Sequence, residues 1–140
     1  MENLGTFASQ NLLLCLSFIL LLGIYIIFEL TQMKKSRYNL SLVDAVMTVN
    51  RNKGIYLDTR DSEAFSNAHI IGAQNISYTE LEEKNKKLVK HKAKPIVVYG
   101  KQPEKAMLIL RKAGFEQVYT LKGGLVAWLQ ANYPVKKQGL

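Results

Sequence analysis

An unbroken apolar segment near the N-terminus constrains this chain more than any other feature of its sequence. No residue from Asn3 to Phe28 is charged, and the run Leu12 to Phe28 (LLLCLSFILLLGIYIIF) is almost wholly apolar, without a polar stripe. A helix rises about 1.5 Å per residue, so roughly 17–25 such residues cross the hydrocarbon layer of a bilayer, which is about 30 Å thick. The run therefore predicts one transmembrane helix, with residues 1–32 forming a membrane anchor.

Three other interpretations of this segment fit the sequence less well. A cleaved secretory signal has a basic stretch before the apolar run and a small-residue cleavage site after it. Here Glu2 is the only charge before the run, and no such site follows it. A buried core helix is rarely so long and so uniformly apolar, and a helix lying in the membrane surface needs a charged face. An uncleaved anchor is the prediction.

Basic residues beside the segment predict its orientation. Lys34, Lys35 and Arg37 flank the C-terminal side, whereas no basic residue flanks the N-terminal side. Because basic residues next to a span favour the cytoplasmic side, we expect the N-terminus outside and the remaining chain at the cytoplasmic face of the cell (inner) membrane. Residues 33–40 are polar and basic and are interpreted as a short tether.

The part of the chain after residue 33 is strongly basic. It holds all 19 lysines and arginines but nine of the eleven acids, all except Glu2 and Glu29, which leaves a net charge of +10. Much of the excess falls in residues 82–94 (EEKNKKLVKHKAK), a pattern most typical of a solvated helix face. The residues that would contact anionic lipid or a partner instead are Lys84, Lys86, Lys87 and Lys90. No aromatic residue is interleaved among them, which argues against nucleic-acid binding.

The chain has a single cysteine, Cys15, and it lies inside the apolar segment. The remaining chain therefore contains no thiol, which excludes a disulfide framework, a cysteine metal site and a cysteine nucleophile there. His91 stands in the lysine-rich run and does not form a metal pair with His69. We predict neither a metal nor a cofactor.

Helix and strand patterns alternate from Ser41 onward. Ser41 and Asp44 form a capping-box-like start to a helix that is expected to stop at Gly54. Further candidate helices are Ser62–Ala68, a lysine-rich helix capped by Ser77 and Glu80, the helix that begins at Pro103 and stops at Gly114, and Leu125–Ala131. Candidate strands are Ile55–Leu57, Asn75–Ile76, Ile96–Tyr99 and Gln117–Leu121, and His69–Ala73 is expected to be a loop.

The strand pattern indicates a parallel sheet. Ile96–Tyr99 is an unbroken apolar run of the type that is buried on both faces of such a sheet. Alternation of strands with helices predicts an α/β sandwich with a mainly parallel central sheet, whose sites lie beyond the carboxyl ends of the strands. This domain is predicted at residues 41–135, with a C-terminal tail at 136–140.

Three stretches carry a family resemblance: LDTRDSEAFSNAHIIGAQNIS (Leu57–Ser77), PIVVYG (Pro95–Gly100) and LRKAGFEQVYTLKGGLVAW (Leu110–Trp128). In this order and spacing they resemble the rhodanese-like domain family, over about Leu40 to Pro134. The resemblance implies a rhodanese-like sandwich. A single-pass anchor ahead of one such domain is similar to a bacterial membrane-bound architecture of the family.

The resemblance also implies where an active site would lie. Active members transfer sulfane sulfur through a persulfide on one cysteine, held at the start of the loop after the strand that corresponds to Ile96–Tyr99. Gly100 stands at that position, and glycine forms neither thiolate nor persulfide. The vestigial loop consists of Gly100, Lys101, Gln102 and Pro103, shorter than the family loop whose backbone N–H groups cradle an anion. We therefore predict a pseudo-sulfurtransferase without activity.

Other residues match family positions that surround the active loop, and we interpret them as structural. Asp58 and Arg60 are expected to form an ion pair or cap at a strand end. His69 is expected to be a structural hydrogen-bonding residue, and Trp128 a core anchor of the last helix. Gly123 and Gly124 form the turn before that helix.

Two functions follow from these features. The first is a non-catalytic protein-binding or scaffolding module, held at the membrane, with other membrane proteins or cytoplasmic proteins as partners. The second is a sulfur-transfer component that is active only when a partner supplies the cysteine.

Overall fold

The computed structural model describes residues 3–137, and the chain divides into two compact units, Met1–Arg37 and Tyr38–Leu140. The first unit contains helix α1 (Asn3–Gln10) and most of helix α2 (Leu12–Tyr38). Neither helix has a buried residue. Among the described residues, α2 is the one helix that is long and apolar enough to cross a membrane by length and composition.

The predicted tether is regular structure. Helix α2 continues through Lys34, Lys35 and Arg37 to Tyr38, and the next two residues form strand β1 (Asn39–Leu40), which belongs to the second unit. Lysine, arginine, methionine and glutamine are good helix formers, and neither glycine nor proline interrupts residues 24–38. The polar composition of residues 33–40 is therefore compatible with a continuing helix as well as with an irregular tether.

The second unit alternates strands and helices. Its remaining strands are β2 (Ile55–Asp58), β3 (His69–Ile70), β4 (Gln74–Asn75), β5 (Ile96–Tyr99), β6 (Val118–Leu121) and β7 (Val135–Lys136). Its α-helices are α3 (Leu42–Asn52), α4 (Ser62–Asn67), α5 (Leu81–Lys84), α6 (Pro103–Lys112) and α7 (Gly124–Gln130). Two 3-10 helices, Tyr78–Glu80 and Asn85–His91, flank α5.

Five of these strands form one parallel sheet in the order β1-β6-β5-β2-β4. The central strand β5 is fully buried. Its Ile96 and Val98 pack with α6 residues in one core cluster, whereas Val97 and Tyr99 pack with α3 and α7 residues in the other. Two buried faces explain the uniformly apolar strand, and the predicted α/β sandwich with a parallel central sheet is confirmed.

Helix α3 begins as its sequence predicts but ends one residue earlier. The Ser41 hydroxyl oxygen accepts a hydrogen bond from the Asp44 backbone N–H at 3.2 Å and donates to the Asp44 carboxylate at 2.7 Å. Lys53, with φ of 53°, takes the left-handed position at the C-terminus that was predicted for Gly54. Gly54 has another constraint, because a Cβ there would lie 2.5 Å from the carbonyl oxygen of Pro95.

Two further segments differ from the sequence prediction. The lysine-rich run is mostly 3-10 helix, and Ser77 makes no side-chain cap. The predicted loop His69–Ala73 begins with β3, which pairs antiparallel with β7 (Ile70 opposite Val135). Two-residue strands are too short to show periodicity. The predicted C-terminal tail thus starts within β7, and its residues 138–140 lie outside the described residues.

Candidate site at the carboxyl edge of the sheet

The parallel register brings the ends of β2 and β5 together. Asp58 lies opposite Tyr99, and the backbone N–H of Thr59 donates to the Tyr99 carbonyl at 3.0 Å. The residues that follow each strand, Arg60 and Gly100, therefore meet at the edge where sites of parallel α/β sheets lie.

An ion pair between a buried carboxylate and a partly exposed guanidinium occupies this edge. The Asp58 carboxylate is fully buried and accepts from the Arg60 backbone N–H at 2.9 Å and from its Nη2 at 2.6 Å. Nη2 also donates to the Ala68 carbonyl oxygen at 2.6 Å. Hydrogen bonding to Asp58 raises the pKa of Arg60 further, so the guanidinium stays protonated. These bonds tie the strand-to-helix turn to the end of α4.

Gly100 has no room for a side chain. Its φ is +111°, and a Cβ there would lie 2.9 Å from Cγ of Arg60 and 3.0 Å from Oδ1 of Asp58. The space that a residue at position 100 would fill is thus taken by the Asp58–Arg60 pair. The predicted ion pair and the predicted vestigial loop belong to one site.

One carbonyl group of the loop after β5 is turned towards the end of β2. The Thr59 hydroxyl donates to the Lys101 carbonyl oxygen at 2.7 Å. Gln102 then adopts a left-handed conformation with φ of 45°, and Pro103 starts α6. A carbonyl oxygen repels an anion, and Pro103 has no N–H to donate. The loop therefore presents a poor anion cradle.

An open cavity of about 290 Å³ lies beside the loop. It is lined by Asn39, Tyr99, Gly100, Pro103, Glu104, Thr120, Leu121, Gly123 and Gly124. Glu104 is the one charged residue of this lining, and it is acidic. The Thr120 hydroxyl lies 3.1 Å from Oδ1 of Asn39, to which it donates. Among the described residues, the lining of this cavity thus offers neither a thiol nor a cationic side chain to attract an anionic sulfur donor.

Sequence reasoning missed two residues that build this site. Thr59 joins β2 to the loop through the bond to Lys101, and Tyr99 accepts from the Ile70 N–H at 3.2 Å. Burial raises the pKa of Tyr99, and the charge of Asp58 adds to the effect. Both residues carry a hydroxyl group at the carboxyl end of an apolar strand, and this position could have indicated their role. A hydroxyl group that is buried there needs a hydrogen-bond partner.

The other predicted site residues lie around the core. Gly123 and Gly124 both have positive φ at the start of α7, and His69 is buried, with Nδ1 2.7 Å from the Phe65 carbonyl oxygen. Trp128 is buried and donates from Nε1 to the Pro134 carbonyl oxygen at 3.0 Å. The four lysines predicted to contact lipid or a partner are not among the residues that line this cavity. Lys84 pairs with Glu80 at 2.8 Å, and Lys86, Lys87 and Lys90 are exposed. Across residues 3–137, no three His, Cys, Asp or Glu residues cluster as metal ligands would.

Alkaline pH is expected to weaken the core around Trp128, whose ring meets that of Tyr56 edge-on at 5.4 Å. Burial, with a smaller contribution from Tyr133, raises the pKa of Tyr56 to about 12. The folded state favours the neutral phenol, so this stabilising contribution is complete below about pH 10 and is lost as the pH rises towards 12. Tyr56→Phe should therefore show a smaller fall in urea midpoint above pH 10. Identical pH dependences for both proteins would contradict this expectation.

Three comparisons relate this geometry to known proteins. The family model described as rhodanese-like domain matches residues 42–131. YibN of Escherichia coli strain K12, an uncharacterised protein, is 28% identical over 139 residues, which cover 96% of this chain and 97% of YibN. The thiosulfate sulfurtransferase GlpE of Coxiella burnetii (strain RSA 331) is 31% identical over 98 residues, 68% of this chain and 89% of GlpE. The crystal structure of BH2092 from Bacillus halodurans superposes with a TM-score of 0.63 at 30% identity, covering 76% of this chain and 82% of BH2092.

Proposed function

Because this chain belongs to the rhodanese-like domain family, which includes sulfurtransferases, we propose that it is a catalytically inactive, membrane-anchored member that binds other proteins. The single observation that carries the proposal is the filled space at Gly100, where a Cβ would lie 2.9 Å from Arg60 Cγ. The chain's one cysteine, Cys15, lies in α2 and not in the rhodanese-like domain. A domain that retains the fold without a nucleophile is suited to binding.

The anchor is supported by the first unit considered by itself. Helix α2 carries large apolar side chains that are exposed on every side, a surface that is stable in lipid and costly in water. Similarity to YibN extends over 96% of the chain, whereas similarity to GlpE extends over 68%. We propose that α2 crosses the membrane with the N-terminus outside. The basic residues after Met33 favour a cytoplasmic domain.

The proposal is tested by cross-linking the full chain in its native membranes. After alkaline carbonate extraction, the chain is expected to remain with the membrane. Proteins cross-linked to it are then compared with those cross-linked to residues 1–37 alone, a matched control that keeps the first unit and lacks the second. A reproducible set that requires the domain is the expected result, and an identical set for both chains contradicts a binding role for the domain.

The same preparation separates binding from sulfur transfer. If a partner supplies the missing cysteine, its thiolate should attack the outer sulfur of thiosulfate and form a persulfide, with release of sulfite. Gly100 variants should then change the rate of this step in the co-purified complex. Binding alone predicts no persulfide above that of the partner by itself.

A further inference from the structure

One face of the domain combines exposed cations with exposed apolar side chains. Helix α5 and the 3-10 helix Asn85–His91 cover this side of the sheet together with α6, through buried residues such as Leu88 and Leu110. We call the outer surface of residues 78–94 and 103–112 the basic face. An open groove of about 460 Å³ runs between its two parts.

Helix α6 presents an amphipathic stripe at the groove. Lys105, Leu108 and Lys112 recur at spacings of three and four residues, line the groove and are exposed, Leu108 by 54%. The opposite wall contributes Tyr78, Asn85 and the acidic Glu82. The 3-10 helix that continues from this wall exposes Val89 by 52%.

Charge distinguishes the basic face from the opposite side of the sheet. Its eight lysines are Lys84, Lys86, Lys87, Lys90, Lys92, Lys94, Lys105 and Lys112, and its four acids are Glu80, Glu82, Glu83 and Glu104. Arg111 is not counted, because its Nη2 donates to the Val118 carbonyl oxygen and its guanidinium lies over the Tyr38 ring. The helices on the opposite side, α3 and α7, carry one acid and one base, Asp44 and Arg51. The basic face thus carries an excess of four positive charges, whereas the helices of the opposite side carry none.

We propose that the basic face binds the anionic surface of the bilayer, an inference that rests on the membrane anchor of the proposed function. Lysines around exposed aliphatic side chains at helical spacing are typical of surfaces that lie on a membrane, where the ammonium groups contact phosphates and the aliphatic groups enter the headgroup layer. The cytoplasmic leaflet supplies the negative charge.

Chain connectivity favours the bilayer over an acidic soluble protein as the occupant. Helix α2 runs without a break from the apolar segment to Tyr38, and β1 of the domain follows directly. The headgroups are therefore present at a high effective concentration, so that even weak contacts are populated. A soluble acidic protein would have to compete with this permanent neighbour.

The test uses the full chain, reconstituted in vesicles, and its single cysteine makes site-specific labelling simple. In a Cys15→Ala background, Leu108→Cys is labelled with an environment-sensitive fluorophore. Its emission is expected to shift to the blue and rise severalfold in vesicles of phosphatidylcholine with phosphatidylglycerol, relative to phosphatidylcholine alone. About 1 M salt, where the Debye length is about 3 Å, should reverse the change.

Two matched controls accompany the label. Val126→Cys on α7, where Val126 is 65% exposed on the opposite side, should give no lipid-dependent change. Changing four lysines of the basic face to glutamine should abolish the response at Leu108→Cys, since each lysine near an anionic surface strengthens binding by about fivefold. The four are Lys86, Lys87, Lys105 and Lys112. The equal-charge control changes Arg51, Lys53, Lys122 and Lys136 to glutamine and should retain the response.

The outcomes separate this inference from the proposed function. A chain that floats with neither kind of vesicle contradicts the anchor. If it floats with both but the label at position 108 ignores phosphatidylglycerol, or the label at 126 responds equally, the lipid-binding face alone is overturned. A response to added polyglutamate without a response to phosphatidylglycerol also overturns it, in favour of an acidic protein partner.

Discussion

Gly100→Cys is expected to lower the free energy of unfolding by about 2–6 kcal/mol and to give no sulfurtransferase turnover. A residue with a side chain pays about 1–3 kcal/mol for a sparsely populated backbone conformation, and φ at Gly100 is +111°. Forcing atoms into filled space costs about 1–3 kcal/mol more, because the new Cβ would meet Arg60 Cγ at 2.9 Å. The introduced thiol would displace the Asp58–Arg60 pair, and the loop beside it would not stabilise a bound anion.

Gly72→Cys is the matched control for this variant. Gly72 also has a positive φ, +80°, but a Cβ there would have no neighbour within 4 Å. The difference between the two variants therefore isolates the clash from the backbone cost. Both are made in a Cys15→Ala background, and unfolding is followed by fluorescence of Trp128, the single tryptophan. Equal stabilities, or turnover of thiosulfate with cyanide by Gly100→Cys, would show that the space is not filled.

The fold follows from sequence wherever local chemistry and burial agree. Ile96–Tyr99 is apolar at every position because both faces of β5 are covered, and the Ser41–Asp44 cap is a contact three residues apart. Both features leave a pattern in the local sequence, the first in its composition and the second in its spacing. β3 and β7 instead stabilise each other across more than sixty residues, and neither carries a pattern of its own.

The site was predictable in its residues but not in its geometry. The sequence indicates a missing nucleophile at Gly100 and a polar pair at Asp58 and Arg60. It does not indicate that the pair occupies the space beside Gly100, because the path of the Arg60 side chain depends on Ala68, whose carbonyl oxygen accepts from it. The Thr59 bond to the Lys101 carbonyl likewise depends on the register of β2 against β5.

Arg60→Ala is expected to lower the free energy of unfolding by about 3–5 kcal/mol. Removal of the guanidinium leaves the Asp58 carboxylate, which has no solvent exposure, without its cationic partner. Arg60 also supplies the bond to the Ala68 carbonyl, which then loses its donor. Arg60→Lys should recover only part of the loss, since an ammonium group cannot reproduce the planar fork.

Lys84→Ala is the matched control, because it removes a cation from an ion pair that is exposed. Its partner Glu80 lies 2.8 Å away, and both side chains are 40% or more exposed. Such pairs contribute about 0.5 kcal/mol. Denaturant titrations of the full chain, read at Trp128, give both values. If Arg60→Ala costs no more than Lys84→Ala, the pair does not hold the turn. Asp58 and Arg60 would then require a functional explanation. Sulfur transfer with a cysteine supplied by a partner would become the better hypothesis.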